Sequence, residues 1–325
     1  MKWTQLLGEL ALILFFATLA FAQQPTSSTA NKTAALTKFQ AGAALERSGE
    51  ISEAIGAYRE ALSLDAELAP ASSNLCAAYS KLSDYASAIE ACERAIRLDP
   101  NYAPARRNLG RVYELSGRMD DAVASFQEAI RLSPADPSSY YDLGGAYTAL
   151  ARYPEAQEAF STAIKLKPDY YDAVSNLGCV YFRLNRYREA VDCFQKALRL
   201  KPDSVTALVN LGATYTEWGR QKEATAAFQQ AIELAPKRAD LYCSLAANYV
   251  RMKQWKEAEL TCRQALTIDP ECAEARLYLG SIYLAQKNKS GALEQYKQLQ
   301  TLNFSMASEL FQAIYRDQVV DVSKR

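Results

Sequence analysis

Apolar residues recur along most of the chain with the 3.6-residue period of a helix, and the stripes come in pairs. Residues 171–204 show one pair. Val174, Leu177, Gly178, Tyr181 and Leu184 stand at i, i+3, i+4, i+7 and i+10, one face of a first helix. Ala190, Phe194, Ala197 and Leu198 mark one face of a second. Only Leu-Asn-Arg-Tyr lies between the stripes, so the spacing predicts antiparallel helices joined by a tight turn. Pro202 has no N–H with which to continue the second helix and closes the unit.

The same skeleton returns every 34 residues without insertion. Gly42, Cys76, Gly110, Gly144, Gly178, Gly212, Ala246 and Gly280 form one series. Ala54, Ala88, Ala122, Ala156, Ala190, Ala224, Ala258 and Ala292 form a second, and Pro100, Pro134, Pro168, Pro202, Pro236 and Pro270 a third. A self-similar period of this size predicts a solenoid. Gly inside a helix costs about 1 kcal/mol against Ala, so the first series needs a reason. The pattern points to room: Gly178 and Ala190 sit where the helices approach most closely, with the Phe194 ring beside them. Cys76 and Ala246, the exceptions in the Gly series, are also small.

The full signature is Leu-Gly, Tyr three residues on, Ala nine further, then Phe, Ala and Pro. Leu109-Gly110-Tyr113-Ala122-Phe126-Ala129-Pro134 is one instance and Leu211-Gly212-Tyr215-Ala224-Phe228-Ala231-Pro236 another. This resembles the tetratricopeptide repeat (TPR). The Trp usual at the family's fourth place is replaced by Arg106, Tyr140, Val174, Leu208, Tyr242 and Arg276. The resemblance implies an all-α fold: a right-handed α-solenoid superhelix of eight 34-residue helix-turn-helix repeats with a C-terminal capping helix. The repeats fall at 35–68, 69–102, 103–136, 137–170, 171–204, 205–238, 239–272 and 273–306. The first is degenerate, keeping Gly42, Ala54, Tyr58 and Ala61 but placing Ala66 where the Pro should be. The eighth loosens, with Lys289, Tyr296 and Leu299 in its second helix and Phe304 at the Pro place. Atypical end repeats are expected, because one face has no neighbour. Met306, Leu310, Phe311, Ile314 and Tyr315 then make an apolar stripe that reads as the cap within 307–325, with a polar tail from Asp317.

Ahead of the repeats, residues 1–22 read as a secretory signal. Lys2 gives a positive start, Leu10 to Phe21 is apolar and uncharged, and Ala20-Phe21-Ala22 supplies a cleavage site. The expectation is export to a periplasmic or secreted location. The alternative is an N-terminal membrane anchor facing outside, although the run is short of the roughly 20 residues of a full span. No membrane span is expected in the mature chain. Residues 23–34 are polar and without apolar period, and read as a disordered linker.

Composition narrows the functional classes. Lys+Arg and Asp+Glu are both 37, and no basic stripe carries interleaved aromatics, which argues against nucleic acid. The chain has no His, so the commonest general base and metal ligand is missing. No Gly-rich phosphate loop occurs. The sequence therefore predicts no enzyme, no cofactor and no metal. Of seven Cys, none forms a C-x-x-C pair. Cys76 with Cys92, and Cys179 with Cys193, lie at mirror-related places across a helix hairpin and are candidate disulfides in an oxidising compartment. The alternative is that these thiols are small core hydrophobes.

Tetratricopeptide arrays line a concave groove with their first helices, which implies a protein or peptide ligand held there. The residue two before the Gly gives Asn74, Asn108, Asp142, Asn176, Asn210 and Ser244. Its four Asn resemble the asparagine ladder of the O-linked N-acetylglucosamine transferase repeats, whose catalytic domain has no counterpart here. One amide offers a donor and an acceptor, matching a peptide unit; the alternative is that the amides tie neighbouring first helices together. Arg107, Arg111, Tyr141 and Arg183 are further groove candidates, with Tyr170, Phe182 and Arg251, since Arg and aromatics commonly anchor interfaces. The cationic clamp some family members use for a terminal carboxylate is missing, with Phe39 and Ala43 where it wants Lys and Asn. The sequence thus reads as a non-enzymatic adaptor. A cysteine-based redox or enzyme-associated role and an oligomeric scaffold are the alternatives, and the oligomeric state is open.

Overall fold

A computed structural model describes residues 27–322, and the side chains of residues 29–315. Residues 1–26, with the expected signal and its cleavage site, and the last three residues lie outside the described part. All regular structure among the described residues is helical. Seven helices among the described residues lie in the first compact unit, Met1–Leu150. They are α1 (Ser27–Ser48), α2 (Ile51–Leu64), α3 (Ala69–Lys81), α4 (Tyr85–Leu98), α5 (Ala103–Leu115), α6 (Met119–Leu132) and α7 (Pro137–Ala149). The second unit, Ala151–Arg325, opens with α8 (Tyr153–Leu166), α9 (Tyr171–Arg183), α10 (Tyr187–Leu200), α11 (Val205–Glu217) and α12 (Gln221–Leu234). It continues with α13 (Ala239–Arg251), α14 (Trp255–Ile268), α15 (Ala273–Ala285), α16 (Lys289–Leu302) and α17 (Phe304–Val322). Within each unit every helix packs on the next, and each first helix also packs on the first helix of the following pair. The first helices therefore form one continuous layer per unit. The second helices pack only against first helices. This is a solenoid of tetratricopeptide-like helix pairs.

The spacing of the pairs follows from the sequence series. The second helices end at Leu98, Leu132, Leu166, Leu200, Leu234 and Ile268, each two residues before a closing Pro. The Gly series marks the closest helix approach. A Cβ added at Gly110, Gly178 or Gly212 would lie 2.6, 2.8 or 2.7 Å from the ring of Phe126, Phe194 or Phe228. Nothing larger than hydrogen fits, and the rings fill the gap: Phe126 and Phe194 are buried almost completely. Leu109, Leu177, Leu211 and the Ala residues of the second helices complete the core.

The turn between the two helices has its own periodicity. Gly49, Ser83, Gly117, Ala151, Asn185, Gly219, Lys253 and Lys287, one per repeat, have φ between 56 and 89°. This left-handed conformation ends the first helix, and it costs a residue with a Cβ about 1–2 kcal/mol. Asn tolerates it best, Gly without penalty.

Both ends depart from the sequence reading. Residues 27–34, read as disordered, are the first turns of α1. Ala30, Ala34 and Ala35 favour helix without forming an apolar stripe. The Thr33 and Thr37 hydroxyls bond back to carbonyls four residues earlier, each at 3.0 Å, and Ala35 is fully buried. At the other end the cap starts at Phe304, not 307, and runs on to Val322 through much of the stretch read as a tail. Asn303 starts it, its side chain accepting from the Met306 N–H at 3.1 Å. Ala307, Leu310 and Ile314 are buried, whereas Phe304 at the Pro place is 81% exposed. Leu310 of the cap lies where a Cβ on Gly280 would fall, 2.5 Å from its Cδ2. The cap thus fills for repeat eight the space that an aromatic ring fills elsewhere.

Candidate functional site

The first-helix residues outside the core stripe are half-buried by their neighbours, and this decides what they offer. In the first unit the Asn74 amide donates to the Tyr58 hydroxyl at 3.3 Å, which donates in turn to Glu46 at 2.8 Å. Burial, and then the bond to Glu46, push the Tyr58 phenol well above its ordinary pKa, so it stays a donor. Lys81 holds the other Glu46 oxygen at 2.8 Å. The Asn108 amide donates to the backbone carbonyl and the hydroxyl of Ser73 on the preceding first helix, at 3.1 and 3.0 Å. Arg107 pairs with Asp142 at 2.7 Å. Burial raises the Asp142 carboxyl although Arg107 and Arg111 draw it down, and burial followed by Asp142 raises Glu114.

Arg111 differs from Arg107. It is exposed and makes no hydrogen bond or ion pair among the described residues. With Lys81 and Asn108 it lines a 90 Å³ cavity, completed by Ala77, Ser80 and Leu115. Tyr141 is half-buried. In the second unit the Asn210 amide donates to the Cys179 sulfur on the preceding first helix at 3.7 Å. Asn176 is half-buried, and Arg183 is exposed without an ion pair among the described residues. Phe182 packs edge-on to Tyr187, Lys167 sits over the Tyr170 ring, and Arg251 pairs with Glu217 at 2.7 Å.

The candidates thus divide. Asn74, Asn108, Arg107, Arg111 and Tyr141 belong to the first unit, and Asn176, Asn210 and Arg183 to the second. The Asn108 amide spends its N–H groups on Ser73, while Asn74 and Asn210 each commit one of their two N–H groups to this chain's own residues. Their carbonyl oxygens accept no hydrogen bond among the described residues. Asn108 can therefore offer a ligand an acceptor alone, whereas Asn74 and Asn210 keep a second N–H beside the acceptor.

Other cavities stand on the outer side, at one recurring place in the repeat. One of 420 Å³ lies among Arg59, Leu62, Ser72, Tyr79 and Arg94. The next, of 380 Å³, lies 34 residues on, among Glu93, Ile96, Arg106 and Tyr113. A third, of 410 Å³ in the second unit, includes Leu198, Leu208 and Leu234. Their shared floor is the fourth place of the repeat, here Ser72, Arg106 and Leu208. Where the family places Trp, these residues leave the space unfilled. Ser72 Oγ and the Nε atoms of Arg106 and Arg276, all at this place, are buried without a hydrogen-bond partner among the described residues. The drift at the fourth place was the sequence signal for these cavities.

The cysteines also take definite places. Cys76 and Cys92 are joined by a disulfide with their Cα atoms 5.2 Å apart. Cys179 and Cys193, the other candidate pair, are free thiols, as are Cys243, Cys262 and Cys272. Burial raises the Cys179 thiol and pushes Cys193 up to about 11 and Cys262 up to about 12.

Comparison with known proteins agrees with this architecture. Residues 103–312 match the family described as the cilia and flagella-associated protein 70 C-terminal domain, and residues 67–135 match the tetratricopeptide repeat. Among solved structures, MamA is 27% identical over 54% of this chain and 96% of its own, with a TM-score of 0.50. A tetratricopeptide repeat protein from Parabacteroides merdae is 23% identical over 74% of this chain and 95% of its own, with a TM-score of 0.57. YrrB, described as a TPR protein with an unusual peptide-binding site, is 24% identical over 57% of this chain and 96% of its own, with a TM-score of 0.50. No curated protein sequence matches the chain.

Proposed function

This chain belongs to the tetratricopeptide repeat family described for the C-terminal domain of cilia and flagella-associated protein 70, and on that premise we propose that it is an exported adaptor. It binds an extended peptide segment of a partner protein along its first helices and performs no chemistry of its own. The observation that carries the reading is the Arg111 guanidinium, exposed beside the Asn108 amide and Lys81 and in no ion pair among the described residues. Nearby Arg107 and Lys81 are neutralised by Asp142 and Glu46, which leaves Arg111 as the cation for an acidic group of the ligand. The asparagine carbonyls accept from ligand backbone N–H groups, and the second N–H of Asn74 and of Asn210 donates to ligand carbonyls, the exchange that the ladder resemblance implies. Arg183, exposed in the second unit, is the corresponding anchor there.

A redox enzyme is less well supported, because a nucleophilic thiol needs a lowered pKa and burial raises those of Cys179, Cys193 and Cys262. Export rests on residues 1–22. The Cys76–Cys92 disulfide supports it, since such bonds persist in oxidising compartments. Sequencing the N-terminus of protein made in its native host tests it: a chain starting at Gln23 is expected, and a soluble cytoplasmic species beginning at Met1 contradicts it.

The binding reading is tested with acidic peptides selected from a random display library on the full chain. A charged hydrogen bond contributes about 1.5–3 kcal/mol, so Arg111→Ala is expected to weaken a selected peptide tenfold or more, at 1.4 kcal/mol per decade. The melting temperature stays unchanged. Asn176→Ala with Asn210→Ala should weaken several peptides alike, because a backbone contact ignores side chains. Unchanged affinity in both variants, or a fall in melting temperature with binding intact, contradicts the reading.

A further inference from the structure

Repeat seven carries a pair of sulfurs that the sequence spacing did not single out. Cys243 lies on first helix α13 and is 1% exposed; Cys272 is the half-exposed residue immediately before α15. They are 29 residues apart in sequence, yet their Sγ atoms lie 3.4 Å apart. A disulfide bond spans about 2.05 Å, so roughly 1.4 Å of approach separates the thiols from a covalent bond. Both belong to one small cluster with Ala265 and Ala275, packed about by Ala239, Tyr242 and Leu266. Tyr242 and Ala239 flank Cys243 on its own helix, Glu274 and Cys262 lie near it, and no cluster able to hold a metal ion occurs among the described residues.

The location gives such a bond a purpose. In repeats three, five and six a Gly on the first helix meets a Phe ring on the second. Repeat seven has Ala246 and Cys262 at these places, and both are fully buried. Repeat two, the other repeat without Gly at the first-helix place, has Cys76 and Cys92 there, joined as a disulfide. Cys262 has Ala246 for its counterpart and cannot form the equivalent bond. A link from Cys243 to Cys272 instead ties α13 to the start of α15, and so encloses the whole of α14 in one covalent loop.

We propose that Cys243 and Cys272 form a second disulfide, closing the end of repeat seven back onto its own first helix when the chain meets a small-molecule disulfide. Cys272, the more accessible sulfur, attacks as thiolate. It bonds to one sulfur of oxidised glutathione and releases one molecule of glutathione. Cys243 then loses its proton to solvent and attacks the Cys272 sulfur, expelling the second glutathione, which takes up a proton. Two protein thiols are oxidised and one small disulfide is reduced to two thiols. Burial and the adjacent Cys272 hold the Cys243 thiol protonated, so this second step is the slow one and accelerates with pH.

The test uses the full chain with Cys76–Cys92 intact, equilibrated with oxidised and reduced glutathione. Free thiols are then alkylated and the unreduced digest is mapped by mass spectrometry. The expected product is a peptide pair joined through Cys243 and Cys272, with Cys179, Cys193 and Cys262 alkylated. The same pair should form in Cys262→Ser, and oxidation should raise the melting temperature of the wild type but not of Cys243→Ser. Three outcomes overturn the proposal: both thiols alkylated after oxidation, Cys272 stopped as its glutathione adduct, or Cys272 joined to Cys262. The wild-type map decides the matter even where Cys243→Ser does not fold.

Discussion

Repeats two and seven depart from the others at the same two places, and they resolve the departure differently. In repeats three, five and six the Gly of the first helix and the Phe of the second are one packing unit: Phe126, Phe194 and Phe228 sit so close to their Gly that no Cβ would fit. Repeat two replaces Gly and Phe with Cys76 and Cys92 and closes the helix pair with a covalent bond. Repeat seven replaces them with Ala246 and Cys262 and leaves a buried, protonated thiol in contact distance of nothing equivalent. The Gly place and the Phe place therefore vary together. A methyl or a sulfur is admitted on the first helix only where the ring on the second is gone.

The largest effect should come from repeat two. Replacing Cys76 and Cys92 together by Ala removes the cross-link, and the loss of a native disulfide typically costs about 2–4 kcal/mol. Because repeat arrays unfold in parts, the readout is hydrogen exchange in α3 and α4. Exchange there should quicken severalfold more than in α9 and α10, and equal change in both places contradicts the local role.

Restoring only half of the packing unit should come next. Cys262→Phe drives a ring into the Ala246 methyl, and overpacking of this kind costs about 1–3 kcal/mol. Adding Ala246→Gly should recover most of that loss. Additive rather than compensating effects in the double variant would show that the two places are independent. Gly178→Leu in repeat five makes the same clash from the other side and should lower the melting temperature by a similar amount.

The turns give a smaller contrast. Lys253 ends the first helix of repeat seven at φ 58°, where repeats three and six use Gly117 and Gly219. Lys253→Gly should stabilise by about 0.5–1 kcal/mol, and Gly117→Ala should destabilise by about 1 kcal/mol, because the left-handed conformation burdens a Cβ. Denaturant midpoints for the two variants should move in opposite directions.

The smallest effect is the pH dependence of the inner face of the first unit. The raised carboxyl of Asp142 favours its protonated form in the folded chain. Its contribution to stability is full below the unfolded value of about 4 and is lost as pH rises through the higher folded value. Asp142→Asn should therefore gain on the wild type as pH climbs above about 4, and a constant difference across that range contradicts the burial argument.

The helix pairs were legible because three series, Gly, Ala and Pro, repeat in phase, and each has a local physical cause. The ends were less legible. The start of α1 is rich in Ala and has no apolar stripe to read, and the cap begins at Asn303, a capping residue hidden inside the eighth 34-residue window. The left-handed turn residue was invisible to the apolar pattern, since Ser83, Lys253 and Lys287 share no chemistry with Gly49. The candidate site was legible as places and not as partners. That Asn108 spends its N–H groups on Ser73, and that Arg107 is neutralised while Arg111 is not, depends on which residue stands one repeat away. The Cys243–Cys272 approach was missed because Cys272 is the last residue of repeat seven, beyond its second helix, whereas the sequence search considered pairs across the two helices of one hairpin.

The central claim is that a partner lies along the first helices and not in the outer cavities. Hydrogen exchange of the full chain, with and without a saturating display-selected peptide, tests it most directly. The account predicts slowed exchange confined to α3 and α5 around Asn108 and Arg111, or to α9 and α11 around Arg183 and Asn210, with α4 and α6 unaffected. Protection confined to α2, α4 and α6, beside the cavities floored by Ser72 and Arg106, would contradict it.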